Sequence, residues 1–272
     1  MKKRVGLALV VCLLLSVVML GCGDKAETPV APEETSLADI QEKGYFVVGL
    51  DDAFPPMGFR EEGTNQIVGF DIDLATEVAS RLGVEARFQP VVWETIIEEL
   101  NGGMIDLIWN GLTITPARQE QIAFTQPYME DKQLIVVRKD SDISSKEDLA
   151  GKIIGLQAGS SAYDAVEADA ETFDSLEEIM QFGGNDEALM DLAAGRLDAV
   201  VVDEVVGRYY IAKRADDYTI LEDNFGVEEF GVGLRQSDQS FIDAVQQALD
   251  GMKADGTSLI ISQKWFGDNV IK

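Results

Sequence analysis

From residue 45 almost to the end of the chain, short apolar runs of strand character alternate with stretches whose apolar residues recur every three or four positions. Strands that follow one another through helices lie parallel in a sheet, with the helices packed on its faces. Residues 45–50 (Tyr-Phe-Val-Val-Gly-Leu) are the first such run. Ile72, Ala75, Ala79 and Leu82 mark one face of a helix opened by Asp71 and closed by Gly83. Further strands are expected at 84–88, 105–108, 133–138, 153–156, 197–202 and 229–234, with a weaker one around Thr172 and Phe173. Helices are expected at 37–43, capped by Ser36 and stopped by Gly44, and at 93–100, 186–194 and 203–214. A long last helix carries Phe241, Ala244, Val245, Ala248, Leu249 and Met252 on one side and stops at Asp255-Gly256. About 235 residues of this pattern exceed one open sheet and suit two lobes. The expected fold class is therefore α/β and two-lobed, each lobe a mixed, mainly parallel sheet flanked by helices.

The first 36 residues follow other rules. Met1-Lys2-Lys3-Arg4 is a positive segment, an apolar run follows to Leu20, and Gly21-Cys22 comes at once. This is the layout of a secretory signal, and the run is short for a membrane-spanning helix. Met19-Leu20-Gly21-Cys22 resembles a bacterial lipobox, with Met where Leu is commoner, so residues 1–21 read as a lipoprotein signal peptide and Cys22 as the lipidated residue. Residues 22–36 are rich in Asp, Glu, Pro, Thr and Ala, without apolar periodicity, and read as a flexible tether. The chain is thus expected outside the cytoplasm, held to a membrane by lipid.

Composition excludes several functions. Lys and Arg number 22 against 49 Asp and Glu, and removal of the signal peptide leaves 19 against 49, a net charge of −30. Such a surface repels phosphate backbones, so no nucleic-acid partner is expected. The chain has no His, which removes His-based triads and dyads and most zinc sites. Its two Cys, Cys12 and Cys22, both precede the folded part, so disulfides are not expected there. No metal-ligand spacing or phosphate loop appears, and neither a metal nor a cofactor is expected.

Ligand sites in open α/β sheets lie beyond the carboxyl ends of strands. That rule nominates residues 51–54, 110–113, 157–161 and Asp203. Arg118, shortly after a strand, suits a two-pronged clamp on a carboxylate, with Thr113 and the amides near Gly111 completing a cradle. Ser160 and Ser161 open a helix, where exposed N–H groups favour an anion. Asp203 can accept a ligand ammonium, although it also reads as a plain N-cap. Phe54 and Trp93 offer aromatic walls. An anion clamp, a cation acceptor and aromatic walls together fit a zwitterion, the free amino acid.

The motifs carry a closer resemblance. The segment 49–59, Gly69-Phe70-Asp71-Ile72-Asp73, the segment 111–118 ending in Arg118, Phe124-Thr125-Gln126-Pro127-Tyr128, Gln157-Ala158-Gly159-Ser160, the segment 198–203, Asp255-Gly256-Thr257 and Lys264-Trp265-Phe266-Gly267 occur in the order seen in the polar amino-acid-binding proteins of ABC transporters, family 3 of the extracellular solute-binding proteins. Glutamine-, histidine- and lysine/arginine/ornithine-binding proteins belong to it. The resemblance implies a type II periplasmic-binding-protein-like fold. Lobe 1 would hold residues 37–127 and 230–272 and lobe 2 residues 133–221, with hinge crossovers at 128–132 and 222–229. By motif position, Arg118 would bind the α-carboxylate with Thr113 and the Ser161 amide. Asp203 would take the α-ammonium with the Asn110 or Gly111 carbonyl, Phe54 and Trp93 would flank the side chain, and Asp51 and Gln157 would reach its far end. Asn110, preceded by Trp109, and Val202 depart from the family pattern at positions that shape the side-chain pocket. The resemblance implies a monomeric, non-enzymatic receptor delivering a polar L-amino acid to an ABC permease. It does not carry over which one, and Asp51 with the walls Phe54 and Trp93 places a basic ligand such as arginine ahead of glutamine. A sensor lipoprotein and an enzyme resembling cyclohexadienyl dehydratases are the alternatives.

Overall fold

The computed structural model describes residues 34–272. The expected signal peptide, Cys22 and nearly all of the tether lie outside the described residues. In chain order the elements are α1 (Ser36–Lys43), β1 (Tyr45–Leu50), β2 (Ala53–Phe54), β3 (Gly58–Arg60), β4 (Ile67–Val68), α2 (Phe70–Leu82), β5 (Glu85–Pro90), a 3₁₀ turn (Trp93–Thr95), α3 (Ile96–Asn101), β6 (Leu107–Ile108), α4 (Pro116–Gln119), β7 (Ala123–Phe124) and β8 (Met129–Arg138). There follow a second 3₁₀ turn (Glu147–Leu149), β9 (Ile153–Gln157), α5 (Ser161–Ala168), α6 (Ala170–Ser175), β10 (Glu178–Phe182), α7 (Asn185–Ala193), β11 (Ala199–Asp203), α8 (Glu204–Lys213), β12 (Tyr218–Phe230), β13 (Gly233–Leu234), α9 (Gln239–Asp255) and α10 (Thr257–Phe266).

Two five-stranded sheets form the two lobes, in the orders β5-β1-β6-β13-β7 and β10-β9-β11-β8-β12, beside a small sheet β2-β3-β4. Each is mixed. In the first, β1 runs parallel to β5 and β6, while β13 runs antiparallel to β6 and β7. In the second, β9 runs parallel to β10 and β11, while β8 runs antiparallel to β11 and β12. The helical spacing read from the sequence sets the packing. Phe70, Leu74, Ala75, Val78 and Ala79 of α2 and Phe241, Val245 and Met252 of α9 enter one buried cluster with Phe46 and Val48 of β1. Gly83 ends α2 in the left-handed region at φ 74°, its N–H returning to Ala79 and Ser80 carbonyls.

Two motifs of the sequence meet here. Asp73 of α2 accepts from Lys264 Nζ at 2.6 Å and from Trp265 Nε1 at 2.7 Å, and Phe70 packs edge-on against Phe266 at 5.1 Å. They fasten α2 to α10, within the first lobe.

The structure corrects several expectations. Thr172 and Phe173 lie in α6, not a strand, because the Asp169 carboxylate caps the turn through the Thr172 N–H; the neighbouring strand is β10. The strand expected at 229–234 is divided between β12 and β13, which belong to different sheets. The expected crossovers at 128–132 and 222–229 are not among these corrections: apart from Tyr128 these residues lie in the paired strands β8 and β12, with Glu228 opposite Asp131 and Glu229 opposite Glu130. Ser36 does not cap its own helix; its Oγ accepts from the Phe241 N–H in the first turn of α9.

Candidate functional site

The strand ends named by the sequence converge between the two sheets. Phe54 leaves β2, Trp93 opens the 3₁₀ turn after β5, and their rings lie within 7° of parallel with centroids 6.4 Å apart. Gly111 follows β6 with φ 60°, and a Cβ there would stand 2.8 Å from Phe54 Cε1, so only glycine lets the chain pass this ring. The second sheet approaches closely. A Cβ on Gly159, between β9 and α5, would stand 2.7 Å from Glu94 Cα.

Arg118 sits on the short helix α4, started by Pro116 and capped by Thr115. Its guanidinium, 9% exposed, donates to the Thr113 carbonyl at 2.8 Å and to the Gly159 carbonyl at 3.0 Å, one contact on each side of the cleft. Among the described residues no carboxylate forms an ion pair with it. Burial lowers its pKa, opposed by the fields of Glu228, Asp203 and Asp164. A buried cation without a paired anion is unusual. Opposite it, α5 begins without a side-chain cap, because Ser160 Oγ turns back to the Gln157 carbonyl. The first-turn N–H groups of α5 therefore keep the polarity of an open helix N-terminus.

The other pole is acidic, and strand register builds it. Gln133 of β8 lies opposite Asp203 of β11, and Asp131, two residues earlier in β8, lies opposite Glu228 of β12. Residues two apart on a strand, and their cross-strand partners, share a face. Asp203 is not the N-cap side chain of α8. The Asp131 carboxylate takes that role, accepting from the Glu204 and Val205 N–H groups at 3.1 and 3.2 Å. Asp203 keeps its carboxylate for the cleft, where Gln133 Nε2 donates to it at 3.0 Å. Burial pushes the Asp203 pKa up to about 7, the Glu228 charge adds to the rise, and Arg118 opposes it. Asp131 is raised well above the carboxylate range by burial and by Asp203.

At a third point Asp51 accepts from Gln157 Nε2 at 2.7 Å, and Asn185 donates to Gln157 Oε1 at 3.2 Å. Burial raises the Asp51 pKa. Asn110 supports this loop, its Oδ1 accepting from the Asp51 N–H at 3.1 Å.

Residues 46–268 match the model of the bacterial extracellular solute-binding proteins, family 3. The chain belongs to this family. It is similar to the L-cystine-binding protein TcyJ of Escherichia coli, at 29% identity over 242 residues, 88% of this chain and 89% of that protein. A substrate-binding protein of an ABC uptake transporter from Streptococcus pneumoniae, solved with bound histidine, gives a TM-score of 0.84 at 36% identity, covering 88% of this chain and 98% of that one. An ancestral arginine-binding protein bound to arginine gives 0.77 at 39% identity, covering 82% and 98%; a structure of an ancestral arginine-binding protein bound to glutamine also matches.

In this family 3 protein the cleft brings together Phe54, Trp93, Gly111, Thr113, Arg118, Ser161 and Asp203, with Asp51 and Gln157 joined at one edge and Asn110 behind them. One expectation fails in detail. The Gly111 N–H is not free for a carboxylate, because it donates to the buried Asp71 carboxylate at 2.8 Å. The sequence reading missed Glu228 and Gln133. Its strand-end rule looks at the loops beyond carboxyl ends, whereas Gln133 stands within β8 and Glu228 within β12, two residues before its end. The segment 129–133 carries no apolar alternation; only with β8 laid against β11 and β12 do Asp131 and Gln133 prove buried between exposed Glu130 and Lys132, with Glu228 opposite Asp131.

Proposed function

We propose that this protein is the receptor of an ABC importer and closes its lobes on a free polar L-amino acid. The buried Arg118, unpaired with any described carboxylate, carries this reading, because a ligand carboxylate supplies the missing anion. The α-carboxylate lies against Arg118 and the N–H groups that open α5, and the α-ammonium against Asp203. The ligand side chain passes Phe54 and Trp93 toward Asp51 and Gln157. Asp51 favours a basic amino acid, arginine ahead of glutamine, since a guanidinium stacks on aromatic rings and pairs with a carboxylate. The histidine, arginine and glutamine bound in the related structures support the class.

The proposed lobes are residues 37–127 with 230–272 and residues 133–221, and the paired stretches of β8 and β12 are the hinge. A ligand touching both lobes favours closure by its differential affinity for the closed state. Lipidation at Cys22 holds the receptor at a membrane outside the cytoplasm, and Cys22→Ser is expected to abolish lipid labelling. Catalysis has no part in this reading.

A thermal-shift screen of the L-amino acids on ligand-stripped protein tests the proposal. A ligand at a hundred times its Kd stabilises by about 2.7 kcal/mol, a visible shift. No shift with any L-amino acid, followed by no heat in calorimetry, overturns it.

A further inference from the structure

Glu228 is a carboxylate that the sequence pattern does not assign to the ligand, yet it holds the centre of the acidic pole. Its Oε2 accepts from Thr113 Oγ1 at 2.8 Å, Ser161 Oγ at 2.9 Å and Gln133 Nε2 at 3.0 Å. The three donors come from the loop after β6, the start of α5 and β8, so one atom gathers both sides of the cleft and the strands that join them.

The consequence follows from counting protons. A hydroxyl has one proton and an amide nitrogen two, and a carboxylate only accepts. Thr113 gives its proton to Glu228. Ser161 gives its proton either to Glu228 or to Thr113 Oγ1, 3.0 Å away. Gln133 has two for three acceptors, Asp203 and Glu228 at 3.0 Å and Ser161 Oγ at 3.3 Å, all of them members of the group. Every side-chain proton of the group is then committed internally, and what remains toward a ligand is lone pairs. A second observation points the same way. Gln133 Oε1 is buried without a hydrogen-bond partner among the described residues, an acceptor lacking a donor. Turning the amide over would not relieve it, since that would set an oxygen against two carboxylates.

We propose that Glu228 is the positioning residue of the ammonium seat: by drawing the protons of Thr113, Ser161 and Gln133 onto itself it makes the side chains around Asp203 meet the ligand as acceptors, so that the site selects a primary α-ammonium over the same molecule without its amino group. The inference rests on the amino-acid-receptor reading. It also divides the labour at Thr113 and Ser161, whose hydroxyls serve the ammonium while Arg118 and main-chain N–H groups serve the carboxylate.

The test is calorimetry with L-arginine and L-glutamine, each against its des-amino counterpart, on the full chain and on Glu228→Gln. The parent is expected to prefer the amino acid over the des-amino compound, and Glu228→Gln to shrink that preference roughly ten- to hundred-fold, the scale of one hydrogen bond to a charged group. Affinity for the des-amino compounds themselves, which Arg118 holds, is expected to stay within about threefold, a result that general damage to the site would not give. If Glu228→Gln does not fold, Ser161→Ala removes one hydroxyl that Glu228 orients and is expected to shrink the same ratio. A preference unchanged in Glu228→Gln, or in Ser161→Ala where that variant stands in, overturns the inference and leaves the receptor reading intact. A parent that binds no L-amino acid overturns both.

Discussion

The two poles of the cleft solve opposite problems. At the basic pole a single guanidinium is buried with main-chain carbonyls on either side and no paired anion among the described residues. At the acidic pole Asp203, Asp131 and Glu228 crowd together, and burial with mutual repulsion raises the pKa of both aspartates. One pole is short of a negative charge and the other has too many. A zwitterion relieves both at once, which neither a simple anion nor a simple cation does. The same asymmetry separates Asp203 from a third buried acid, Asp71. Asp71 also rises to about 7 through burial, but it accepts from the Gly111 N–H and from Tyr128 Oη at 2.8 and 2.9 Å. Two acids with similar shifts thus belong to different surroundings, one to the cleft and one to the packing behind it.

The largest test of the contrast is removal of the basic pole. Arg118→Ala is expected to weaken amino-acid binding by roughly two to four decades, since breaking a buried pair costs about 3–5 kcal/mol, while the protein still melts cooperatively. Retained tight binding would show that the ligand carboxylate lies elsewhere.

The two acids are then separated by pH. In the ligand-free protein Asp203 holds its proton below about 7, whereas pairing with an ammonium requires it ionised. Affinity is therefore expected to fall as pH drops below 7, by at most about tenfold per unit, with proton release seen by calorimetry in buffers of differing ionisation enthalpy. The groups facing Asp203 across this window are Glu228, Asp131 and Arg118. Asp203→Asn should flatten that profile. Asp71 acts on stability alone. Its folded pKa lies above the unfolded value of 3.8, so the native state binds more protons than the unfolded one between about pH 4 and 7. Stability is fully supported below that window and declines as pH rises through it, by about 1.4 kcal/mol per unit for this one group. Urea unfolding at several pH values measures the slope, and Asp71→Asn should reduce it without altering the pH profile of binding. A binding profile that follows Asp71 rather than Asp203 would break the distinction.

The smallest expected effect concerns the far end. Asp51→Asn should weaken arginine by roughly tenfold and glutamine by less, because only the guanidinium loses an ionic partner. Equal losses would discard the preference for a basic ligand and leave the rest in place.

Much of this was legible in the sequence because the signals were local. Gly44, Gly83 and Gly256 stop helices by entering a conformation other residues avoid, and all three have positive φ. Tyr45–Leu50 is read as a strand and is one. Phe54 and Asp203 end strands β2 and β11, Trp93 and Arg118 open or sit in the turns of helix that follow β5 and β6, and these strand ends meet at the cleft. What was hidden depends on partners distant in the chain. Thr172 and Phe173 have strand propensity, but Asp169 captures their turn for a helix. Asp203 reads as a plain N-cap, and only the register of β8 on β11, which brings Asp131 to the start of α8, gives the capping role to Asp131 and leaves Asp203 to the cleft. Glu228 stands in an acidic pair with Glu229, which reads as solvated surface until β12 is laid against β8.

That pairing has a mechanical consequence. Strands β8 and β12, bonded edge to edge as they pass from one sheet toward the other, form a strap that is broad one way and thin the other. A strap of this kind bends readily across its thin dimension and resists shear along its length, because shear would break the ladder. Sliding β12 by one residue would also carry Glu228 to the opposite face, away from Thr113 and Ser161. Any motion that preserves the ladder is therefore a swing with few degrees of freedom, and the element that confines the swing also keeps the ammonium seat in alignment.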